Sequence, residues 1–152
     1  MSGHGRACSD DCDDDDDGVD DDHNGYADDC HGVDTFNDDS DPMDDNQHGT
    51  HVAGTIAASM TNPTGTPAMA EGVVGVAPNA RILAYKVCRS DGTCDDFAIQ
   101  QAIARAVADG ANIINMSLGE TEYSQSLNEA VQAAWNAGLV IKPGSSLAYL
   151  RI

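Results

Sequence analysis

The stretch that decides the fold is Asn46-Gln-His-Gly-Thr-His-Val-Ala-Gly-Thr-Ile-Ala-Ala58. Small and apolar residues recur in it at helical spacing, so we predict a helix with one apolar face, formed by Val52, Ala53, Ile56, Ala57 and Met60. His48 would open this helix. Gly49 follows it, and a residue without a Cβ lets other backbone or a ligand approach closely. A histidine exposed there suits general acid–base chemistry, although a lone histidine at a helix start usually only bonds to backbone.

Downstream of this helix the chain alternates short apolar runs with amphipathic stretches. Three runs are predicted to be strands: Arg81–Val87, Ala111–Met116 and Leu139–Ile141. Asp95 can cap a helix that ends at Gly110, and Ser126-x-x-Glu129 is a capping box for another that ends at Gly138. This alternation predicts an α/β fold, a parallel sheet flanked by helices in three layers.

The charge of the chain is concentrated at its beginning. The net charge is −19, and 18 of the 26 acidic residues lie in Met1–Asp45, where Arg6 is the one Lys or Arg. This argues against nucleic acid and anionic membranes as partners and favours multivalent cations. No apolar run is long enough to span a membrane or to resemble a signal peptide. We predict a disordered acidic segment at residues 1–17, a domain at 18–141 and a divergent tail at 142–152, with the acidic N-terminal part largely irregular.

Part of the acidic region matches the first half of a calcium loop. The oxygen donors at loop positions one, three, five, seven and nine would be Asp20, Asp22, Asn24, Tyr26 and Asp28. Gly25 occupies position six, where such loops turn sharply. Position twelve is His31 and not glutamate, so an EF-hand proper is not predicted. A structural calcium ion and a solvated acidic loop remain the two alternatives.

Five cysteines cannot all pair within one chain; they are Cys8, Cys12, Cys30, Cys88 and Cys94. Cys88 and Cys94 flank a turn-like Arg-Ser-Asp-Gly-Thr and could close a small disulfide loop in an extracellular protein. In a reducing compartment they would stay thiols. Cys8-x-x-x-Cys12 is half a zinc site without a matching second pair, so zinc is not predicted.

His48-Gly-Thr-His-Val-Ala-Gly-Thr55 closely resembles the histidine signature of the subtilisin-like serine peptidases. The likeness continues in Gly72–Val87 and Ala111–Gly119, and it covers about 18–141. It implies a partial subtilisin-like fold, secretion and the hydrolysis of peptide bonds in peptide or protein substrates. It also makes His48 the catalytic base and His51 an inward-facing structural residue.

The same resemblance implies a substrate cleft along Ser117, Leu118 and Gly119, whose backbone would pair with an extended peptide. The alternative is an ordinary exit from a strand. Some enzymes of this family carry a similar Asp-rich insertion with Asn-Gly-Tyr ahead of the histidine, which supports the calcium interpretation.

The chain departs from the family pattern in three places. No aspartate before His48 lies in Asp-Thr-Gly or Asp-Ser-Gly, and no Gly-Thr-Ser-Met-Ala follows it. Leu147 stands about where the family has its oxyanion-binding asparagine, after Lys142 and Pro143, which are poor continuations of a central strand. We therefore expect these 152 residues alone not to hydrolyse peptides. The alternatives are a non-catalytic, calcium-binding acidic module on the same scaffold, and a fragment that does not fold alone.

Overall fold

The structure, a computed structural model, describes residues 18–20, 23–29, 32–60, 73–119 and 124–143. The acidic segment 1–17 and most of the tail 142–152 lie outside these ranges, so the predicted domain limits are not tested. Within the described ranges the strands and helices follow in the order β1 (Gly32–Asp34), α1 (His48–Ala57), β2 (Ala84–Lys86), α2 (Asp96–Ala108), β3 (Ile113–Met116), α3 (Gln125–Asn136) and β4 (Val140–Pro143).

The strands form two separate parallel pairs. β1 pairs with β2 from Gly32 opposite Ala84, and β3 pairs with β4 from Ile113 opposite Val140. Parallel strands joined through helices confirm the predicted α/β class. Over the described ranges, β2 and β3 each have one strand neighbour, so the four strands form two separate sheets and not one continuous sheet.

The apolar core lies between the two central helices and one face of β3–β4. Its buried members are Ile99, Ile103, Met116, Leu127, Val131, Ala134 and Ile141. Ile113 and Val140 lie opposite each other on the other face, where they are 65% and 55% exposed. The described helices therefore cover only one face of this strand pair.

The first residues of α2 and α3 show which sequence signals decide where a helix begins. The Asp95 side chain accepts hydrogen bonds from the amides of Phe97 and Ala98, so the predicted cap of α2 is confirmed. The predicted capping box at Ser126 is wrong. Ser124 caps α3 by accepting from the Leu127 amide, which places Ser126 inside the first turn.

The ends of the elements follow simple backbone rules. Gly110 and Gly138 adopt positive φ values of 70° and 97° after α2 and α3, as predicted for helix-ending glycines. The expectation that Lys142 and Pro143 interrupt the strand is wrong, because β4 continues through both. A proline is tolerated there because it ends a strand that has a neighbour on one side only in the described structure.

Helix α1 is held at its ends more than along its length. It has no buried residue: four members of its predicted apolar stripe are half-buried, and the fifth, Met60, was wrongly included because the helix ends at Ala57 and Met60 is exposed. Its last carbonyls accept hydrogen bonds from the 75–77 backbone: Val76 N to Thr55 O at 3.0 Å and Ala77 N to Ile56 O at 2.7 Å. A Cβ on Gly75 would lie 2.4 Å from the Ala58 nitrogen, so only glycine permits this close approach.

Candidate active site

The imidazole of His48 lies exposed at the N-terminal end of α1, beside the carboxyl end of β3. Its Nε2 is 2.7 Å from the carbonyl oxygen of Ser117, the first residue after β3. Ser117 and Gly119 are exposed, whereas the Leu118 side chain packs partly against the core. Two segments that are 69 residues apart thus meet at the surface.

This contact selects the tautomer of the neutral ring. A carbonyl oxygen only accepts, so Nε2 must carry the hydrogen and Nδ1 holds the lone pair in the neutral imidazole. A nucleophile that is to lose its proton to Nε2 must first displace the Ser117 carbonyl. Among the described residues the His48 ring has no hydrogen bond to a carboxylate, so nothing there orients Nδ1 as a triad aspartate would.

His51 does not face inward as predicted. Its side chain is exposed in the described structure, while its amide donates to Gln47 O at 3.1 Å and its carbonyl accepts from the Thr55 hydroxyl at 3.0 Å. The reason is that the described elements do not cover α1, which buries no residue.

The turn before His48 is held by one carboxylate, that of Asp44. One oxygen accepts from the amides of Asn46 and Gln47, and the other accepts from the Thr50 amide at 2.7 Å and the Thr50 hydroxyl at 2.6 Å. The Thr50 hydroxyl and these backbone amides hold the pKa of Asp44 far below its ordinary value. Asp44 replaces the missing cap, because Gln47 has left-handed backbone, with φ of 76°, and makes no capping bond.

A disulfide-closed loop adjoins the same turn. Cys88 and Cys94 are bonded, which resolves the pairing that the sequence left open for these two; Cys8, Cys12 and Cys30 lie outside the described residues. The side-chain amide of Asn46 donates to the carbonyl oxygen of Ser90, within this loop, at 2.7 Å. Sequence reasoning missed this contact because it joins positions 44 residues apart.

Asp34 is the one described aspartate that ends a strand and precedes a threonine, so it deserves comparison with a triad aspartate. Its buried carboxylate is bound by Lys86 Nζ at 2.5 Å, by the Asn37 side chain at 2.8 Å and by the amides of Phe36 and Asn37. Burial alone would raise the pKa of Asp34, but the Lys86 and amide hydrogen bonds outweigh it and lower that pKa. Asp34 is therefore committed to the β1–β2 pair and does not contact His48.

The described part of the acidic loop is closed by its own carboxylates. Asp20 accepts from the Asn24 and Gly25 amides, both at 2.9 Å, and the Asn24 side-chain oxygen accepts from the Tyr26 amide at 2.8 Å. The Asp28 carboxylate accepts from the Gly18 amide at 3.1 Å. Asp22 and His31 lie outside the described residues. Among those described, no cluster of three or more acidic, histidine or cysteine side chains could hold a metal.

Arg105 of α2 docks this loop onto the domain. Its guanidinium bonds to Asp29 at 3.0 Å and to Asp109 at 2.8 Å, and it lies 5.7 Å from the centre of the Tyr26 ring. The Tyr85 hydroxyl donates to the same Asp109 at 2.6 Å. The spacing of Arg105 and Asp109 by four was a visible helix-surface signal, but nothing local showed that the loop also binds there.

Comparison with known proteins shows which family this chain resembles. A family model described as the subtilase family, peptidase S8, matches residues 9–144. The chain belongs to the subtilase family. This subtilase is 44% identical over 110 residues to a thermophilic serine proteinase of Bacillus sp. (strain AK1), covering 72% of this chain and 26% of that protein.

Two further comparisons agree. Thermitase of Thermoactinomyces vulgaris is 40% identical over 110 residues, or 72% of this subtilase and 37% of thermitase. The structure of Sphericase matches with a TM-score of 0.55 and 38% identity, covering 65% of this chain and 32% of Sphericase. The subtilase therefore spans roughly a quarter to a third of these relatives, and the predicted family and fold are confirmed. The roles given to His48, Ser117, Leu118 and Gly119 remain predictions.

Proposed function

We propose that this chain is the histidine-bearing part of the catalytic domain of a serine endopeptidase, an enzyme that hydrolyses peptide bonds in polypeptides. The contact of His48 Nε2 with the Ser117 carbonyl carries the proposal, because it places the imidazole at the carboxyl end of β3, beside the segment that would bind substrate. Nε2 can accept a proton there once a nucleophile has displaced this carbonyl and the ring has changed tautomer. In the complete enzyme His48 is the general base that takes the nucleophile's proton and later returns it to the leaving amine.

The substrate would bind along Ser117, Leu118 and Gly119. Ser117 and Gly119 are exposed residues, and an extended peptide can pair with their backbone as an added strand. The partly buried Leu118 side chain anchors this segment to the core, so the segment has a fixed position relative to His48. The Ser117 carbonyl, which accepts from Nε2, is the point at which the substrate-binding segment lies next to the proposed base.

We expect the 152 residues alone to show no hydrolysis, since they contain neither nucleophile nor triad-aspartate motif. The direct test is a chimera in which Gly18–Ile141 replaces the matching segment of thermitase, which supplies the remainder of the domain. We expect this chimera to cleave peptides and to be inhibited by serine-directed reagents. His48→Ala should lower kcat by about 10⁶-fold, the loss that removal of the triad histidine causes in subtilisin itself.

The matched control is His23→Ala, which removes a histidine from the acidic loop and should leave kcat within about twofold, as expected of a surface substitution. A folded chimera that cleaves equally well with and without His48 would reject the proposal. A folded chimera without activity in any form would favour the alternative, a non-catalytic module on this scaffold.

We also propose that the acidic loop holds a structural calcium ion through Asp20, Asp22, Asn24, Tyr26 and Asp28. Two described features support it: Gly25 has a φ of 99° at the sharp turn, and the carboxylate of Asp20 closes the loop by accepting two amides. The carbonyl oxygen of Tyr26 would be the backbone ligand. A divalent cation would relieve the repulsion among these carboxylates and stabilise the loop.

Calcium titration monitored by thermal unfolding tests this proposal. We expect the melting temperature to rise with calcium in the unmodified chain and the rise to be lost in Asp20→Asn. Asp96→Asn, which removes an equal charge from the exposed start of α2, should keep the full response. A response that survives Asp20→Asn would indicate general charge screening and would reject the site.

We propose an extracellular location. One relative, 38% identical over 102 residues, is named as a minor extracellular protease of Bacillus subtilis (strain 168), and the Cys88–Cys94 disulfide fits an oxidising compartment. Across the described part of the chain, the helices are too short or too polar to cross a membrane.

A further inference from the structure

Within the described ranges, the Asn46 side chain links the disulfide loop to the turn before His48. Asn46 lies two residues before His48 and donates its side-chain amide to Ser90 O at 2.7 Å. Ser90 belongs to the seven-residue loop that Cys88–Cys94 closes. We propose that Asn46 is a positioning residue which couples the redox state of the Cys88–Cys94 disulfide to the placement of His48. This inference rests on the proposed function, because it assigns regulation to the same site.

The loop is built to hold the Ser90 carbonyl in one place while the disulfide is intact. Cys88 and Cys94 form an antiparallel bridge, and Arg89 N donates to Thr93 O at 2.9 Å. Gly92 makes the turn at a φ of 85°, and its amide donates to Arg89 O at 2.9 Å. These bonds orient the one carbonyl that Asn46 uses.

The loop also connects β2 to α2. Cys88 follows β2 by two residues, and Cys94 immediately precedes Asp95, which caps α2. Cys94 packs partly against the core, so one end of the loop is anchored, whereas the exposed residues 89–93 are held by the covalent closure together with their own backbone hydrogen bonds. When the closure is lost, the Ser90 carbonyl gains freedom and Asn46 loses a fixed acceptor.

Asn46 can transmit this change because its side chain ties the turn to the loop, while its amide is held from within the turn by Asp44. The Asp44 carboxylate holds the Asn46 and Gln47 amides, but Gln47 has a left-handed backbone and α1 buries no residue. A shift at Asn46 therefore reaches His48 directly and weakens its Nε2 contact with Ser117 O. A dithiol would operate the switch: its thiolate displaces one cysteine sulfur, its second thiol displaces the other, and two protein thiols and an oxidised cyclic disulfide result.

The experiment uses the full chain and reads His48 by NMR, so that its outcome does not depend on catalysis. In the oxidised protein we expect a hydrogen-bonded His48 Nε2–H signal and a shifted Asn46 side-chain amide. A dithiol should remove both shifts and accelerate hydrogen exchange of the His51 amide by about 2- to 10-fold, as expected for the loss of one hydrogen bond. The same treatment of a Cys8→Ser/Cys12→Ser/Cys30→Ser variant should give the same change, which assigns the effect to the remaining pair.

Two variants make the result decisive. Asn46→Ala should reproduce the reduced-state His48 signals in the oxidised protein, and a dithiol should then add nothing further. Asn46→Asp retains size but cannot donate to the carbonyl, and it should behave like Asn46→Ala. Circular dichroism of each variant establishes that the fold is retained.

Reduction that leaves His48 unchanged, or effects of reduction and of Asn46→Ala that add independently, would overturn the coupling. Neither result bears on whether His48 is a catalytic base. Conversely, an inactive chimera with intact coupling would reject the proposed function and retain this inference as a structural one.

Discussion

Asp44 is the side chain on which the start of α1 most depends. Its carboxylate accepts four hydrogen bonds from three residues on either side of His48. It thereby serves the amides at the helix start as the side chain of an N-cap residue does. We predict that Asp44→Ala lowers the free energy of unfolding by about 1–2 kcal/mol, the cost of losing a helix cap. Chemical denaturation measures it, and Asp96→Ala, which removes an exposed aspartate without a capping role, should cost far less.

The pH dependence of this contribution has a definite sign. The pKa of Asp44 is lowered in the folded chain, so its contribution is present above the unfolded pKa of about 4 and is lost as the pH falls. The difference in stability between the unmodified chain and Asp44→Ala should therefore shrink below about pH 4. A difference that grows on acidification would contradict this role.

Gln47 destabilises the same turn, because its backbone conformation is strained. Its φ of 76° is unfavourable for a residue with a Cβ, and its side chain makes no capping bond in return. We predict that Gln47→Gly raises the free energy of unfolding by up to about 1 kcal/mol, because glycine adopts this conformation without steric cost. Gln100→Gly, in the middle of α2, should lower it by about 1 kcal/mol. Equal signs for the two changes would refute the strain.

The pairing of β1 with β2 contains a buried ion pair between Asp34 and Lys86. Burial alone lowers the pKa of Lys86, but the hydrogen bond and charge of Asp34 outweigh it and raise that pKa. The pair therefore contributes between the two ordinary pKa values, and it is lost toward acid as Asp34 is protonated and toward strong base as Lys86 is deprotonated.

We predict that Asp34→Asn costs about 3 kcal/mol, because it leaves the buried Lys86 ammonium without its main partner. Lys86→Met should cost a similar amount for the same reason. The double variant Asp34→Asn/Lys86→Met should be more stable than either single variant. Urea denaturation of the four proteins measures the coupling, and simple additivity would contradict it.

Local signals predicted the elements well where the decisive partners were local. The Asp95 cap and the glycines at 110 and 138 act within a turn of the residues they affect, and each was predicted correctly. The cap of α3 was placed wrongly, because Glu129 three residues after Ser126 favoured Ser126 as the cap, whereas Ser124 makes the capping bond. β1 was missed because three residues are too few to show an alternating pattern, and its partner β2 lies about 50 residues away.

The residues of the candidate site also fall into those that the sequence predicted and those that it did not. His48 and Ser117–Gly119 were named through the family resemblance, and the structure places the His48 ring in contact with the Ser117 carbonyl. Asp44, Asn46 and Arg105 were missed, because their importance comes from partners that only the tertiary structure brings near them. Asn46 and Ser90 illustrate the point, as do Arg105 and Asp29.

At the scale of the whole molecule, the described residues leave one apolar surface exposed. Ile113 and Val140 form one cross-strand pair on the outer face of β3–β4. An exposed apolar face beside short strand edges favours self-association. We predict that Ile113→Thr/Val140→Thr lowers the associated fraction in sedimentation velocity while changing stability by no more than about 1 kcal/mol.

The contrasting variant is Ile103→Thr, in the core, which should unfold the chain and increase aggregation. Association that is unchanged by the outer-face substitutions would show that another surface is responsible.

Gly75 touches the backbone of the His48 helix more closely than any side chain would allow. Codon randomisation at this site, followed by selection for folded protein, should return one amino acid, whereas randomisation of the neighbouring Val76, 90% exposed, should return many. Position 75 is thus a place where the evolution of this chain has no freedom, for a reason that concerns shape and not chemistry.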